Sequence, residues 1–154
     1  MLFRSLVLGG IEIPHDRGLE GHSDADALLH AVCDAMLGAL ALGDIGKHFP
    51  DSDPRYRGIA SAELLRQVCL RVSRRGYRVG NIDATVVAEK PRLAPHIDAM
   101  RARIAAVAGV APDEVGVKAT TTEGMGFCGR GEGIAAMAVV VLEKVERVEK
   151  LELH

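Results

Sequence analysis

The pattern of apolar and polar positions along the chain predicts a protein that combines short strands with amphipathic helices. Apolar residues recur every three or four positions between Leu28 and Met36, a spacing that places them on one face of a helix. Glycine and proline separate this segment from shorter runs of β-branched and other apolar residues that are typical of strands. The predicted elements, in chain order, are a β-segment at 5–14, helices at 24–42 and 62–75, a strand at 82–88, a helix from 95 to about 109, and strands at 115–122 and 135–142.

Polar residues and glycines indicate where the predicted helices begin and end. Ser23, with Asp26 three residues later, resembles a capping box at the start of the first helix. Ser61 is predicted to cap the second helix, which Gly76 terminates. Segment 44–56, which is rich in Asp, Gly and Pro, is predicted to be a loop.

The order of these elements predicts a single α+β domain at 1–144, with a mixed β-sheet that helices cover on one face. Residues 145–154 form a C-terminal extension. In the last strand, neighbouring positions such as Ala136 and Met137 are both apolar, so both faces of the strand are apolar. A sheet with a second apolar face needs cover, which favours a homo-oligomer packed sheet against sheet.

Charge and cysteine content exclude several classes of protein. The 154 residues carry 19 Lys and Arg against 21 Asp and Glu, a net charge of −2 that argues against a nucleic-acid-binding protein. Cys33, Cys69 and Cys128 are odd in number and lack zinc-site spacing, which fits a reducing cytosol. The apolar stretch near the start is too short for a signal sequence or a membrane span. We therefore expect a cytoplasmic protein.

The first candidate constellation lies on the first predicted helix. Asp26, His30 and Asp34 are spaced four residues apart, so they share one stripe of that helix. A neutral imidazole is a common zinc ligand, and a carboxylate one turn away can orient it. The alternative is a solvated helix face with a capping box.

A second candidate is the segment 44–53, in which three aspartates accompany glycine and proline. Carboxylates and backbone amides in such a loop can hydrogen-bond a polyol. An ordinary turn cluster of Asp and Pro has the same composition. Alone, this segment does not decide between the two.

The third candidate runs from Lys118 to Gly133. Three consecutive threonines and the backbone amides of a loop with five glycines can hold phosphate oxygens, and Glu123 can hold Mg²⁺ beside them. No Gly-Lys-Ser/Thr occurs there and a strand follows, so this is not a Walker loop. A threonine-rich strand end before a glycine turn is the structural alternative.

In this order and spacing, five stretches resemble the 2-C-methyl-D-erythritol 2,4-cyclodiphosphate synthases. The resemblance extends from about Leu6 to Leu142. The stretches that carry it are LGGIEIP, GHSDADALLHA, LGDIGKHFPDSDP, NIDATVVAEKPRLAPHI and KATTTEGMGFCGRGEGIA.

The resemblance implies a homotrimer with sheets packed around its axis and active sites between neighbouring subunits. Such enzymes convert 4-CDP-2-C-methyl-D-erythritol 2-phosphate into 2-C-methyl-D-erythritol 2,4-cyclodiphosphate and release CMP, a step of non-mevalonate isoprenoid synthesis. The substrate's own 2-phosphate attacks the β-phosphorus, so the protein positions the groups and neutralises their charge. Zn²⁺ and a second ion, Mg²⁺ or Mn²⁺, are implied as cofactors. The plastid stroma is the implied location if a transit peptide was removed.

Matched position by position, the resemblance implies roles for individual residues. His30 matches a zinc-ligating histidine, and Glu123 matches the ligand of the second metal. His22 and Thr121 match residues that stabilise the transition state. Positions that match the methylerythritol pocket are Asp44, Ile45, Gly46, Phe49, Pro50, Asp51, Ser52 and Asp53. Those that match the cytidine and α-phosphate site are Ala88, Glu89, Lys90, Pro91, Arg92, Leu93, Ala94, Thr120 and Thr121. Ser23 and Thr122 match further substrate contacts. Phe127 and Arg130 match positions at the trimer axis, where family members hold isoprenoid diphosphates.

The chain departs from the family in its first strand. Family members open with a strand reading roughly Arg-Ile-Gly-x-Gly-x-Asp-x-His, which supplies two further zinc ligands, whereas Arg4 here runs directly into Ser5. One histidine does not make the three-ligand site of a catalytic zinc. We therefore expect an internal omission at this junction, with a carbon–nitrogen separation far longer than a peptide bond. The alternative is a catalytically silent trimer that binds cytidine nucleotides or isoprenoid diphosphates.

Overall fold

The computed structural model describes residues 5–15 and 25–146. The strands are β1 (Leu6–Leu8), β2 (Ile11–Ile13), β3 (Tyr77–Val87), β4 (Val115–Thr120) and β5 (Ala135–Lys144). The helices are α1 (Ala27–Ala39), α2 (Ile45–His48), α3 (Ser61–Arg74), α4 (Ile97–Ala108) and α5 (Gly126–Gly129). Single 3₁₀ turns lie at Pro54–Tyr56, Ala94–His96 and Pro112–Glu114.

The main sheet has the strand order β4-β3-β5. β3 runs parallel to β4, with Val87 opposite Thr120, and antiparallel to β5, with Val87 opposite Ala135. Strands β3 and β4 therefore end, and β5 begins, at the same end of the sheet, which we call the carboxyl end. Because β3 lies between the other two, the chain from β4 to β5 must cross the carboxyl end of β3. Topology alone thus brings the segments after β3 and after β4 together.

The two faces of this sheet have different surroundings. Toward the helices, Ile82 and Val86 are buried, and α1, α3 and α4 contact β5, β3 and β4 respectively. On the opposite face, Met137, Val139 and Val141 of β5 are 61%, 69% and 52% exposed. The prediction of an α+β fold with a mixed sheet, covered by helices on one face, is confirmed. On β5 this second face is apolar and open in the single chain, as the alternation in β5 predicts, whereas β3 and β4 place the ion pair of Asp83 and Lys118 on it.

The start of α1 is built around Asp26 rather than Ser23, so the predicted capping box is wrong. Asp26 is the N-cap: its Oδ1 accepts a hydrogen bond from the backbone N–H of Leu29 at 3.0 Å. The same buried carboxylate accepts bonds from the N–H groups of Gly9 at 3.0 Å and Gly10 at 2.7 Å. It thereby joins the β1–β2 turn to the first helix. Both glycines have positive φ, and a Cβ on Gly9 would lie 2.7 Å from the Met100 side chain.

Three further predictions need correction. Segment 44–56 is not only loop, because it contains α2 and a 3₁₀ turn. Ser61 is not a cap: the N-cap of α3 is Ala60, and the Ser61 side chain is fully buried. The strand predicted at 82–88 begins at Tyr77, because β5 is long enough to pair with its amino half beyond an irregularity between Val79 and Asn81.

Other predictions concern parts of the chain outside the described residues. These are the junction of Arg4 and Ser5, the predicted site residues His22 and Ser23, and most of the C-terminal extension. Val145, the first residue after β5, donates its N–H to the Gly76 carbonyl at 2.8 Å. Within 5–15 and 25–146, no helix is long and apolar enough to cross a membrane.

Candidate active site

The segments that follow β3 and β4 enclose an open cavity of about 210 Å³ at the carboxyl end of the sheet. The β3–β4 pairing continues one residue further here, with the Ala88 N–H bonded to the Thr120 carbonyl at 3.0 Å. The lining residues are Ala88, Glu89, Pro91, Arg92, Leu93, Ala94, Ala119, Thr120 and Thr121. All but Ala119 are among the residues that match the cytidine and phosphate contacts. The sequence does not identify Ala119 as a site residue, because an alanine within a strand carries no chemical signal.

Lys90 and Thr122, two of the predicted substrate contacts, lie outside this lining in the described structure. Lys90 is exposed, and its peptide bond with Pro91 is cis. Thr122 is half-buried, and its hydroxyl donates to the Met125 carbonyl at 2.5 Å. That single hydroxyl proton is then committed, so the 3.4 Å contact between this hydroxyl and Glu89 is secondary.

The turn after β4 presents a hydroxyl and a carboxylate side by side. The Thr121 Oγ1 accepts a hydrogen bond from the Glu123 N–H at 3.2 Å, and both side chains are exposed. Glu123 has φ of 53°, a left-handed conformation that is uncommon for residues other than glycine. Because its N–H is the donor to Thr121, the hydroxyl of Thr121 keeps its own proton for an acceptor in the cavity.

The glycine-rich stretch folds back on itself through a close backbone approach. A Cβ on Gly129, in α5, would lie 2.2 Å from the Gly124 carbonyl carbon, so only glycine fits this position without a shift of backbone. Phe127 of the same helix is 53% exposed, and Arg130 binds Glu132 at 2.8 Å. That hydrogen bond also lowers the pKa of Glu132. Phe127 and Arg130 thus lie at the surface, away from the cavity lining.

The residues that match methylerythritol contacts lie around α2, beside the end of α1. Asp44 is the N-cap of α2 and accepts from the Lys47 N–H at 2.9 Å, while Asp34 accepts from the Ile45 N–H at 2.9 Å. Gly46, Asp51 and Ser52 are exposed, and Pro50 is half-buried. Among the described residues, none of 44–53 lines the 210 Å³ cavity. The single chain therefore presents two separate groups of matched residues.

Aromatic and arginine contacts hold this second group against α3. Phe49 is buried, packs edge-to-face on Tyr56 with ring centroids 5.2 Å apart, and has the Arg71 guanidinium 4.6 Å from its ring centroid. Asp53 caps the following 3₁₀ turn and binds Arg55. The hydrogen bonds from Arg55 hold the pKa of the Asp53 carboxyl below its ordinary value, so it is ionised at neutral pH.

His30 makes a hydrogen bond that the sequence does not reveal. Its Nε2 lies 2.9 Å from the Oγ of Ser61, which is fully buried. A serine at a helix start has the same sequence signature whether it caps the helix or bonds a neighbouring helix. The stripe of Asp26, His30 and Asp34 is real, but its members hold three different segments of the chain.

The described residues do not fit a zinc centre at His30. Within 5–15 and 25–146, no three His, Cys, Asp or Glu side chains are grouped so that they can hold a metal ion. Catalytic zinc needs three protein ligands, and one ring nitrogen of His30 is bonded to Ser61. His22 and Ser23 lie outside the described residues. The residues around Glu123 are different, because an exposed carboxylate beside threonine hydroxyls fits Mg²⁺ or Mn²⁺ held jointly with phosphate oxygens.

Cys33 and Cys69 are packing residues and not reactive thiols. Burial raises the pKa of the Cys69 thiol to about 11, and burial raises that of Cys33 further above its ordinary value. Both thiols are therefore protonated at neutral pH and behave as apolar packing groups.

An open cleft where two parallel strands end, lined by threonine hydroxyls and beside a carboxylate, has the composition of a binding site for a phosphate-bearing ligand. The chain belongs to the YgbB family, whose sequence model matches residues 2–143.

Curated relatives carry a more specific name. The 2-C-methyl-D-erythritol 2,4-cyclodiphosphate synthase of Geobacter sulfurreducens is 63% identical over 141 residues, covering 92% of this chain and 90% of the relative. That of Moorella thermoacetica is 65% identical over 139 residues, covering 90% and 85%. A solved structure of such a synthase, in a form bound to CDP, superposes with a TM-score of 0.84 at 37% identity and covers 91% of each chain. Enzymes of this family depend on divalent metal ions.

Proposed function

We propose that this chain catalyses the cyclisation of 4-CDP-2-C-methyl-D-erythritol 2-phosphate to 2-C-methyl-D-erythritol 2,4-cyclodiphosphate with release of CMP. The observation that carries the proposal is the cavity at the carboxyl end of the sheet. Eight of its nine lining residues are ones that match nucleotide contacts of the synthases. The name shared by relatives above 60% identity supports the same reaction.

For this reaction the protein must hold the attacking 2-phosphate oxygen, the β-phosphorus and the oxygen of the leaving CMP in line. A 2-phosphate oxygen of the substrate attacks the β-phosphorus, the bond from that phosphorus to the CMP oxygen breaks, and CMP leaves with the electron pair. The loop at 88–94 binds the cytidine, and Thr120 and Thr121 face its phosphates. The Thr121 hydroxyl donates a hydrogen bond to the oxygens on which charge develops.

Residues outside the nucleotide cavity complete the proposal. His22 acts with Thr121 on the developing charge, and Ser23 contacts the substrate. The exposed groups around α2, namely Asp44, Gly46, Asp51 and Ser52, bind the methylerythritol unit together with Ile45, Phe49, Pro50 and Asp53. Both assignments rest on the match to the synthases.

Glu123 is the residue proposed to hold a divalent ion, Mg²⁺ or Mn²⁺, beside the phosphates of the substrate. Such an ion would supply positive charge to oxygens that become more negative as the leaving bond breaks. No step is assigned to zinc at His30, because the described residues do not fit it.

We further propose that the active unit is a homotrimer. The exposed apolar row of Met137, Val139 and Val141 supports this, since monomers rarely leave such a face open. Two separate groups of matched residues in one chain are also what a site shared between subunits requires. In that trimer, Phe127 and Arg130 are proposed to bind an isoprenoid diphosphate near the axis.

The proposed reaction is tested by recording ³¹P NMR spectra of the CDP-linked substrate after the purified protein and Mg²⁺ are added. We expect the diphosphate signals to be replaced by those of CMP and a cyclic diphosphate in equal amounts. Excess EDTA should abolish the conversion. A protein that binds the substrate and leaves it intact would overturn the synthase proposal in favour of a silent nucleotide-binding trimer.

A further inference from the structure

The carboxylate of Glu89, in the nucleotide loop at 88–94, bonds the turn that follows β4. Its Oε1 accepts a hydrogen bond from the Gly124 N–H at 2.9 Å and another from the Thr122 N–H at 3.3 Å. These two donors are 35 and 33 residues away in sequence and flank Glu123 on both sides. One carboxylate oxygen on the loop after β3 is therefore bonded to the turn after β4.

The position of Glu89 follows from the register of the sheet. Backbone pairing between β3 and β4 reaches its last bond where the Ala88 N–H meets the Thr120 carbonyl. Beyond that point the two chains diverge, and the side chain of the next residue, Glu89, continues the connection. The turn it reaches contains Glu123 in the left-handed region with φ of 53°, a strained conformation for a residue other than glycine and one that needs support from its surroundings.

We propose that Glu89 is a positioning residue for the proposed metal carboxylate: it fixes the Thr122–Gly124 turn so that Glu123 faces the nucleotide phosphates. The inference rests on the proposed function, since it takes a metal-bound nucleotide diphosphate as the ligand of this site. It changes the role of Glu89 from a substrate contact to the link between the nucleotide loop and the metal ligand.

A positioning role and a ligand role predict different effects of the same substitution. Glutamine keeps an oxygen that accepts both amide bonds, but it lacks the charge that a metal ligand supplies. If Glu89 positions the turn, Glu89→Gln retains function and Glu89→Ala does not. If Glu89 instead binds the metal, both substitutions are damaging. The two outcomes separate the roles without reference to overall stability.

The test is calorimetry of CDP binding with increasing Mg²⁺ for the wild type, Glu89→Ala, Glu89→Gln and the control Glu114→Ala. Glu114 is an exposed carboxylate before β4, at the opposite end of that strand. For Glu89→Ala we expect CDP affinity at saturating Mg²⁺ to fall by about tenfold or more, the usual effect of losing two bonds to a charged acceptor. Glu89→Gln should stay within about threefold, because hydrogen bonds to a neutral acceptor are weaker but still formed. Glu114→Ala should match the wild type.

An Ala variant with wild-type Mg²⁺ dependence, or a Gln variant as impaired as Ala, would overturn the positioning role. Failure of the wild type to bind CDP would instead remove the proposed function, so the two failures are distinguishable.

Amide hydrogen exchange of the wild type gives a second test that needs no variant. The backbone amides of Thr122 and Gly124 should exchange more slowly than that of Asp51, an exposed turn residue that serves as the control. Equally fast exchange would contradict the inference.

Discussion

Thr121→Ala is expected to lower kcat for cyclisation by about a hundredfold or more, the typical cost of losing one donor to developing charge. The Thr121 hydroxyl accepts from the Glu123 N–H at 3.2 Å, which orients it and leaves its proton available to the substrate. Its effect should fall on the rate, because the charge on the β-phosphate oxygens grows as the bond to CMP breaks. The Kd for CDP should change by much less, since the cavity has eight other lining residues.

Thr121→Ser is the matched control, because it retains the hydroxyl and removes only a methyl group. We expect its kcat to remain near that of the wild type. Steady-state kinetics with calorimetry of CDP binding measures both effects. Unchanged kcat in Thr121→Ala, or a serine variant as slow as the alanine variant, would show that this hydroxyl does not act on the transition state.

Asp26→Ala is expected to destabilise the protein by about 3–5 kcal/mol, since each buried donor left without a partner costs about 1–3 kcal/mol. The carboxylate is fully buried and accepts from the N–H groups of Gly9, Gly10 and Leu29. Alanine leaves these donors without their acceptor, and those of Gly9 and Leu29 are buried away from solvent. It also removes the N-cap of α1, the helix that carries His30.

Asp34→Ala is the control on the same helix. Asp34 is exposed and accepts a single bond, from the Ile45 N–H. Its loss is expected to cost about 1 kcal/mol or less, because water can replace the lost partner. Urea unfolding at a fixed protomer concentration measures both variants. A cost below that of Asp34→Ala for the Asp26 variant would contradict the role of Asp26 as the link between hairpin and helix.

Much of the fold follows from local features of the sequence. The helix stops at Gly76 and Gly109 are predictable, because glycine after an amphipathic segment is a common C-cap signal. The error at Ser23 arose because two acceptors of the same type, Ser and Asp, lie three residues apart, and only the tertiary contact with Gly9 and Gly10 selects Asp26. The amino half of β3 was missed for a related reason, since Gly80 and Asn81 are strand breakers that pairing with β5 overrides.

The candidate site could be predicted as a set of residues but not as a set of contacts. The resemblance to the synthases implied that the 88–94 loop and the threonines belong to one site, and the parallel pairing of β3 with β4 brings them together. The bond from Glu89 to the turn after β4 depends on the register between β3 and β4, and no local sequence pattern specifies that register. The bond between His30 and Ser61 likewise depends on the packing of α1 against α3.

The central claim is that the carboxyl end of the sheet binds a cytidine diphosphate together with a divalent ion on Glu123. It is tested most directly by calorimetric titration of CDP into the wild type and Glu123→Ala, each with and without Mg²⁺. We expect Mg²⁺ to strengthen CDP binding to the wild type by about tenfold or more, because the ion pairs with both the diphosphate and the Glu123 carboxylate. In Glu123→Ala, CDP should bind at the metal-free level whether or not Mg²⁺ is present. Equal Mg²⁺ dependence in the two proteins would contradict the metal role of Glu123, and no CDP binding by the wild type would contradict the site itself.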